Sequence, residues 1–248
     1  EKGNMHHRRI FAFGVGNDVN VPLLDRIADT SRAMATYVLP QEDVEVKVGQ
    51  VFNRLYGPVL ADIQLQTIGD DGAAQTRLVR ELIPSALPDL FEGDQLIVLG
   101  QYQTNKPVTF KLTGNFLGQK REFTYQFDFN GATTKNAFVP RLWATRRIAY
   151  LVDQIRQMGA AIPGQPLPSN PQVMNDPRVK ELADEILRLS TEFGILTEYT
   201  SFLAMEGTNL ANWGALSAAC NDNLDKRAVQ TRAGAPAVAQ GMNFNGQK

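Results

Sequence analysis

In two blocks, residues 108–116 and 123–129, apolar and polar residues alternate. Val108, Phe110, Leu112, Gly114 and Phe116 alternate with Thr109, Lys111, Thr113 and Asn115. Phe123, Tyr125, Phe127 and Phe129 then alternate with Thr124, Gln126 and Asp128. A period of two fits a pleated strand with one apolar and one wet face. The stretch therefore predicts two amphipathic strands joined through Gly118-Gln119, their aromatic side forming core. Ile63-Gln64-Leu65-Gln66 repeats the pattern earlier, and Pro84 and Pro88 punctuate the loop that follows it. Leu96-Ile97-Val98-Leu99 is apolar on both faces and is expected to lie centrally. Residues 58–137 are accordingly expected to form an antiparallel β-sandwich.

The flanks switch to the helical period. Before the sandwich, Arg9–Phe13 reads as a buried parallel strand ending in Gly14-Val15-Gly16, and Met34–Leu39 as a second. Between them Asn20 is placed to cap a helix with Pro22 in its first turn and Leu23, Leu24, Ile27 and Ala28 as its apolar stripe. Val44, Val48, Val51, Phe52 and Leu55 predict a further helix, broken at Gly57-Pro58. Residues 1–57 thus look like the end of an open α/β sheet whose other strands lie elsewhere. Residues 138–206 read as helical. One helix opens at Pro140 and carries Ala144, Ile148, Leu151, Val152 and Ile155, and another is capped by Asp176 and stopped by Gly194. A linker holding Pro163, Pro166, Pro168 and Pro171 separates them, and Tyr199–Met205 is expected to return as a strand. Residues 207–248, rich in Asn, Ala and Gly, predict a partly ordered tail with a short helix near Ala215–Cys220. The fold class expected is α+β.

Chemistry is sparse. The 248 residues carry 25 Lys+Arg against 26 Asp+Glu, a net charge of −1 that offers no general field for nucleic acid. No stretch is apolar over the length of a membrane span. The single cysteine, Cys220, rules out an internal disulfide and a thiolate zinc cage. His6 and His7 are the only histidines, so no later segment can build a Ser-His or Cys-His pair. Gly14-Val15-Gly16 is a tight strand-to-helix turn, because Val19 occupies the third glycine position of a dinucleotide loop. Asp70-Asp71-Gly72 and Glu92-Gly93-Asp94 fit acidic turns better than a calcium loop. Asp184-Glu185 beside Arg188 fits helix-surface pairing. Arg141, Arg146, Arg147 and Arg156, with Trp143 and Tyr150 nearby, make one helix basic. Packing against neighbours accounts for them more simply than an RNA surface.

Several stretches together carry a resemblance. Arg9–Asn20 (RIFAFGVGNDVN) followed by Leu24–Ala28 (LDRIA) resembles the closing strand and helix of a von Willebrand factor type A domain. Pro84–Gly100 (PSALPDLFEGDQLIVLG), Leu142-Trp143-Ala144 with Arg147-Ile148, and Phe193–Leu203 (FGILTEYTSFL) are similar to the segment after that domain in inter-alpha-trypsin inhibitor heavy chains. The match runs from Arg9 to Leu203, with a fainter echo at Ala237-Val238. It points to the family that joins a VIT domain to a type A domain, and the divergence of the tail to a bacterial member. The fold it implies is the C-terminal part of a type A sheet (1–57), then the sandwich (58–137) and flanking helices.

The resemblance also implies where metal chemistry would lie. Type A domains hold Mg²⁺ through Asp-x-Ser-x-Ser on the first strand-to-helix loop, with a Thr and an Asp on later loops. All of these would precede Arg9, as would the VIT domain, so the chain is expected to be a fragment. No residue here is assigned as a metal ligand, cofactor ligand or catalytic group. Asn17 and Asp18 are expected at the periphery of that upstream Mg²⁺ site. The function implied is non-enzymatic: a scaffold C-terminal to a metal-dependent ligand-binding domain. It would serve adhesion to a protein partner or extracellular ligand outside the cytoplasm. The alternative is a subunit of a protease-inhibitor complex or an enzyme regulator. A carbohydrate-binding sandwich would rest on Phe123–Phe129 alone.

Overall fold

The computed structural model describes residues 8–128, 131, 133–158 and 170–246. The fold is α+β, as expected. The chain divides into two compact units, one made of Glu1–Val44 with Pro140–Gln247 and the other of Glu45–Val139. These boundaries fall at 44/45 and 139/140, beside expected ones at 57/58, 137/138 and 206/207, and make the second unit contiguous and the first discontinuous in sequence.

In the discontinuous unit, β1 (Ala12–Val15) pairs in parallel with β2 (Ala35–Val38), Ala12 facing Ala35 and Val15 facing Val38. Between them runs α1 (Val21–Thr30). It starts where expected: the Asn20 side chain accepts a hydrogen bond from the Leu23 N–H at 3.3 Å, with Pro22 in the first turn. Its buried residues are Val21, Pro22, Asp25 and Ala28, while Ile27 is exposed. The stripe is thus turned from the predicted one and carries a carboxylate at its centre.

The helical part comprises α3 (Phe138–Met158), the short α4 (Asn170–Met174) and α5 (Pro177–Phe193). Asp176 caps α5 by accepting from the Arg178 N–H, and Gly194 ends it in the left-handed region at φ 61°. On α3, Trp143, Ala144, Ile148, Leu151 and Ile155 are buried, and Trp143 meets Phe193 edge-on at 6.1 Å between ring centres. Pro163, Pro166 and Pro168 of the expected linker lie outside the described residues.

Two expectations fail here. Tyr199–Met205 is not a strand, and Ser201–Ala204 is a 3₁₀ turn instead. The Thr200 hydroxyl accepts from the Thr197 N–H at 3.1 Å, a local bond that competes with strand pairing. Nor are residues 207–246 a partly ordered tail. Asn212 caps α6 (Trp213–Leu224), whose Leu216, Cys220 and Leu224 are buried on one stripe and pack on α5. A π turn at Asp225–Val229 follows, then α7 (Ala235–Asn245). Ala237 and Val238 of α7 join Val21, Ala28, Ala35 and Tyr37 in one core. Burial of this stripe overrides the weak intrinsic propensity of an Asn- and Gly-rich sequence.

The contiguous unit begins within α2 (Val44–Phe52), continued by a 3₁₀ turn to Tyr56. Of the expected face, Val51 is buried and Val44, Val48 and Phe52 are exposed, while the Leu55 side chain lies outside what is described. Antiparallel pairing then follows as β3 (Ala61–Ile68), β6 (Val108–Phe116) and β7 (Gln119–Phe127) in the order β3-β6-β7, and as β4 (Val79–Ile83) with β5 (Leu99–Tyr102). The Ile83–Pro84 peptide is cis. Each sheet contains one irregularity, between Ala61 and Gln64 in β3 and between Arg80 and Ile83 in β4. Asp62 and Glu81, both at positive φ, mark them. The long hairpin closes through Leu117-Gly118, both at positive φ, so the turn lies one residue before its predicted place. The apolar run 96–99 contributes only Leu99 to a strand, and Ile97 is exposed.

Candidate functional site

The loop from β1 to α1 holds the two residues singled out from sequence. Gly16 takes φ 86° and its N–H donates to the Val38 carbonyl at 2.9 Å, so the chain turns sharply at the carboxyl end of the parallel pair. Asn17 and Asp18 follow, both exposed. The segment before α7 is bonded to this loop. The Gly234 N–H donates to the Asn17 carbonyl at 2.6 Å, and the Val21 N–H donates to the Arg232 carbonyl at 3.1 Å. Among the described residues no group of three or more His, Cys, Asp or Glu could hold a metal ion. His6 and His7 lie outside them.

The other polar candidates have local partners. Asp71 accepts from the Ala73 N–H and from Gln75 Nε2, and Asp70 pairs with Lys106 at 3.1 Å. Asp94 caps its own turn by accepting from the Phe91 N–H and pairs with Arg54 at 3.2 Å. Asp184 accepts from the Ser217 hydroxyl at 2.6 Å, and Arg188 bridges Glu185 and Glu192. On α3, Arg141 donates to the Gly194 carbonyl, Arg147 lies over the Tyr150 ring at 5.7 Å, and Arg156 is buried. Three of the four arginines of that helix are thus engaged within their own unit.

Cys220 is fully buried with its sulfur 3.8 Å from the Ala183 carbonyl. Burial, then the nearby Asp184 carboxylate, pushes the thiol up to about 12. It is therefore a protonated core group at neutral pH. Native protein is expected to react with a disulfide reagent only as fast as it unfolds, with full reaction in denaturant. Rapid stoichiometric labelling of the native chain would contradict this placement.

A buried polar network that sequence reasoning missed crosses the first unit. Asp25 of α1, fully buried, accepts from the Tyr37 hydroxyl at 2.8 Å and from Asn245 Nδ2 at 3.1 Å. Its other oxygen lies 3.8 Å from Arg156 Nη2, and Arg156 also pairs with Asp153 at 3.3 Å. Burial, then the Asp25 charge, raises the Tyr37 phenol well above its ordinary range. The only sequence signal for it is Asp25 sitting between Leu24 and Ile27 on the predicted stripe.

An apolar concavity lies in the other unit. A groove of about 1090 Å³ opens between the two antiparallel sheets, lined by Leu65, Val79, Leu99, Phe110, Leu112 and the rings of β7. The prediction that those rings are core fails: Phe123 is 43%, Tyr125 51% and Phe127 51% exposed. Two strands opposite three leave part of the apolar face of the larger sheet uncovered.

No family model matches the chain. It is, however, similar to proteins that contain von Willebrand factor type A domains. It is 26% identical over 207 residues to such a protein of Dictyostelium discoideum, covering 82% of this chain and 9% of that one. With human inter-alpha-trypsin inhibitor heavy chain H6 the identity is 24% over 217 residues, 81% of this chain and 15% of that one. The chain thus spans less than a fifth of the length of either relative. Among solved structures, a von Willebrand factor type A protein from Catenulispora acidiphila aligns with 94% of this chain and 60% of its own at a TM-score of 0.37 and 14% identity.

Proposed function

We propose that the chain is a non-enzymatic interaction module. In a longer polypeptide it would form the C-terminal part and scaffold of a type A domain, with a VIT domain and the metal-binding loops upstream. The observation that supports this most is similarity over about four-fifths of the chain to type A domain proteins. The arrangement of the β1–α1 loop is compatible with it: in open parallel sheets ligand loops gather at the carboxyl ends of strands, where Asn17 and Asp18 stand. A protein partner outside the cytoplasm suits this reading. Among the described residues no helix is long and apolar enough to cross a membrane.

Titration calorimetry of this chain with Mg²⁺ and Mn²⁺ tests the division of labour. The expected result is no saturable heat, because the ligands would all lie upstream. One saturable site, abolished by Asp18→Ala, would show that this chain builds its own metal centre and would overturn the scaffold reading. A second reading, a role in a protease-inhibitor complex, draws on the names of the heavy-chain relatives alone. Unchanged trypsin kinetics in the presence of the chain would remove any direct inhibitory form of it.

A further inference from the structure

The groove between the two sheets of the contiguous unit is apolar along its length and charged at one end. By alternation Arg121, Phe123, Tyr125 and Phe127 share one face of β7, opposite Gly114, Leu112, Phe110 and Val108 of β6. At ~3.4 Å per residue this row runs about 20 Å. Leu82 and Leu99 line the groove from the smaller sheet. Among the described residues no Asn, Gln, Ser, Thr or His lines it, and its charged residues are Arg121 and Glu122. Glu122 is already paired with Lys111 at 2.8 Å. Arg121 has no acidic partner among the described residues; its guanidinium lies over the Phe116 ring, 5.9 Å from the centroid, at the hairpin end of the row. The groove therefore offers one unneutralised cation followed by a long apolar track.

We propose that this groove holds one long-chain fatty acid, its carboxylate accepting from the Arg121 guanidinium and its alkyl tail lying along Phe123, Tyr125 and Phe127. The occupant follows from charge complementarity and from length. A sugar or nucleotide would leave hydroxyls or base edges unpaired against such a lining, and a cationic ligand would face Arg121. A single anionic head with one apolar tail satisfies both ends of the groove. An acyl tail extends about 15 Å, half of the ~30 Å hydrocarbon core of a bilayer, and fits within the row once the head is at Arg121. The volume of about 1090 Å³ exceeds the ~300–1,000 Å³ of ordinary small-ligand sites, so the tail has room. Binding covers rings that the smaller sheet leaves exposed, and this burial supplies the driving force. The charge-assisted hydrogen bond at Arg121 fixes the direction of the chain. The inference stands apart from the scaffold reading, and no metal enters it.

Fluorescence titration of the full chain with cis-parinarate, a fluorescent fatty acid, tests the proposal at concentrations below micelle formation. One saturable equivalent is expected, displaced by palmitate. Methyl palmitate keeps the tail and loses the charge, and is expected to compete about tenfold more weakly. Arg121→Gln should weaken palmitate by about the same factor and leave methyl palmitate little changed, while Arg121→Lys should recover part of the loss. Tyr125→Asp, which sets a carboxylate beside the tail, should weaken both ligands. Arg121 and Tyr125 are exposed, so circular dichroism of the variants should match wild type. Absence of saturable binding would overturn the proposal. So would palmitate affinity indifferent to Arg121→Gln, which is the mark of partition onto an apolar surface. Flotation with phosphatidylglycerol vesicles, without binding of dissolved parinarate, would assign the rings to a membrane surface and overturn it equally.

Discussion

Replacing Asp25 by alanine is expected to lower the unfolding free energy by about 3 kcal/mol, the lower end of what breaking a buried ion pair costs. The carboxylate is enclosed, and three elements converge on it: Tyr37 from β2, Arg156 from α3 and Asn245 from α7. Alanine would leave the Arg156 guanidinium buried with Asp153 as its remaining acidic neighbour. Tyr37 would retain only the Val21 carbonyl, 3.1 Å away. Asp25→Asn should fall between wild type and alanine, because it keeps an acceptor for Tyr37 while losing the charge facing Arg156. Asp25→Leu/Arg156→Met should recover much of the loss, since an apolar pair of similar volume removes both desolvation penalties. Urea unfolding of the four proteins decides the matter. A cost below about 1 kcal/mol for Asp25→Ala would mean that the network is incidental to stability.

The second large effect concerns a pair of helical glycines for which helix propensity makes the same prediction. Gly→Ala within a helix normally stabilises by about 1 kcal/mol. At Gly49 of α2, where nothing lies within 4 Å of an added Cβ, that gain should appear in full. At Gly241 of α7 the Cβ would lie 2.6 Å from Val21 Cγ1 and 3.0 Å from Tyr37 Cε2, two fully packed groups. There the sign should reverse, with a loss of about 1–3 kcal/mol from overpacking. Gly241→Val should exceed Gly241→Ala. If Gly241→Ala stabilised as Gly49→Ala does, α7 could not be seated against β2 and α1 as the structure shows.

These sites also mark where the sequence was legible and where it was not. The hairpin 108–127 and helix α5 are announced locally, the first by alternation over 108–116 and 123–127 and the second by Asp176, Pro177 and Gly194 at its ends. Asp25 was opaque because a carboxylate beside Leu24 reads as wet until three distant partners surround it. The last forty residues were opaque for the opposite reason. Leu216, Cys220 and Leu224 form a stripe, but Asn221, Asp222 and Asn223 among them suppress the local signal, and only the core they enter makes them helical. The exposed aromatics of β7 show the same asymmetry. Alternation says that a strand has an apolar face and says nothing about how much of it is covered. Asn17 and Asp18 stand exposed in the loop at the carboxyl end of β1.

The backbone bonds from Arg232 and Gly234 to the first strand-to-helix loop carry one further consequence, for the ribosome. Residues 45–139 form a contiguous unit with local hairpins, able to fold as soon as they leave the exit tunnel. The segment holding β1, α1 and β2 is made before that unit, yet α7, which completes its core, is made after it. That core must therefore stay incomplete while the residues between β2 and α7 are synthesised, with its apolar surface available to chaperones in the meantime.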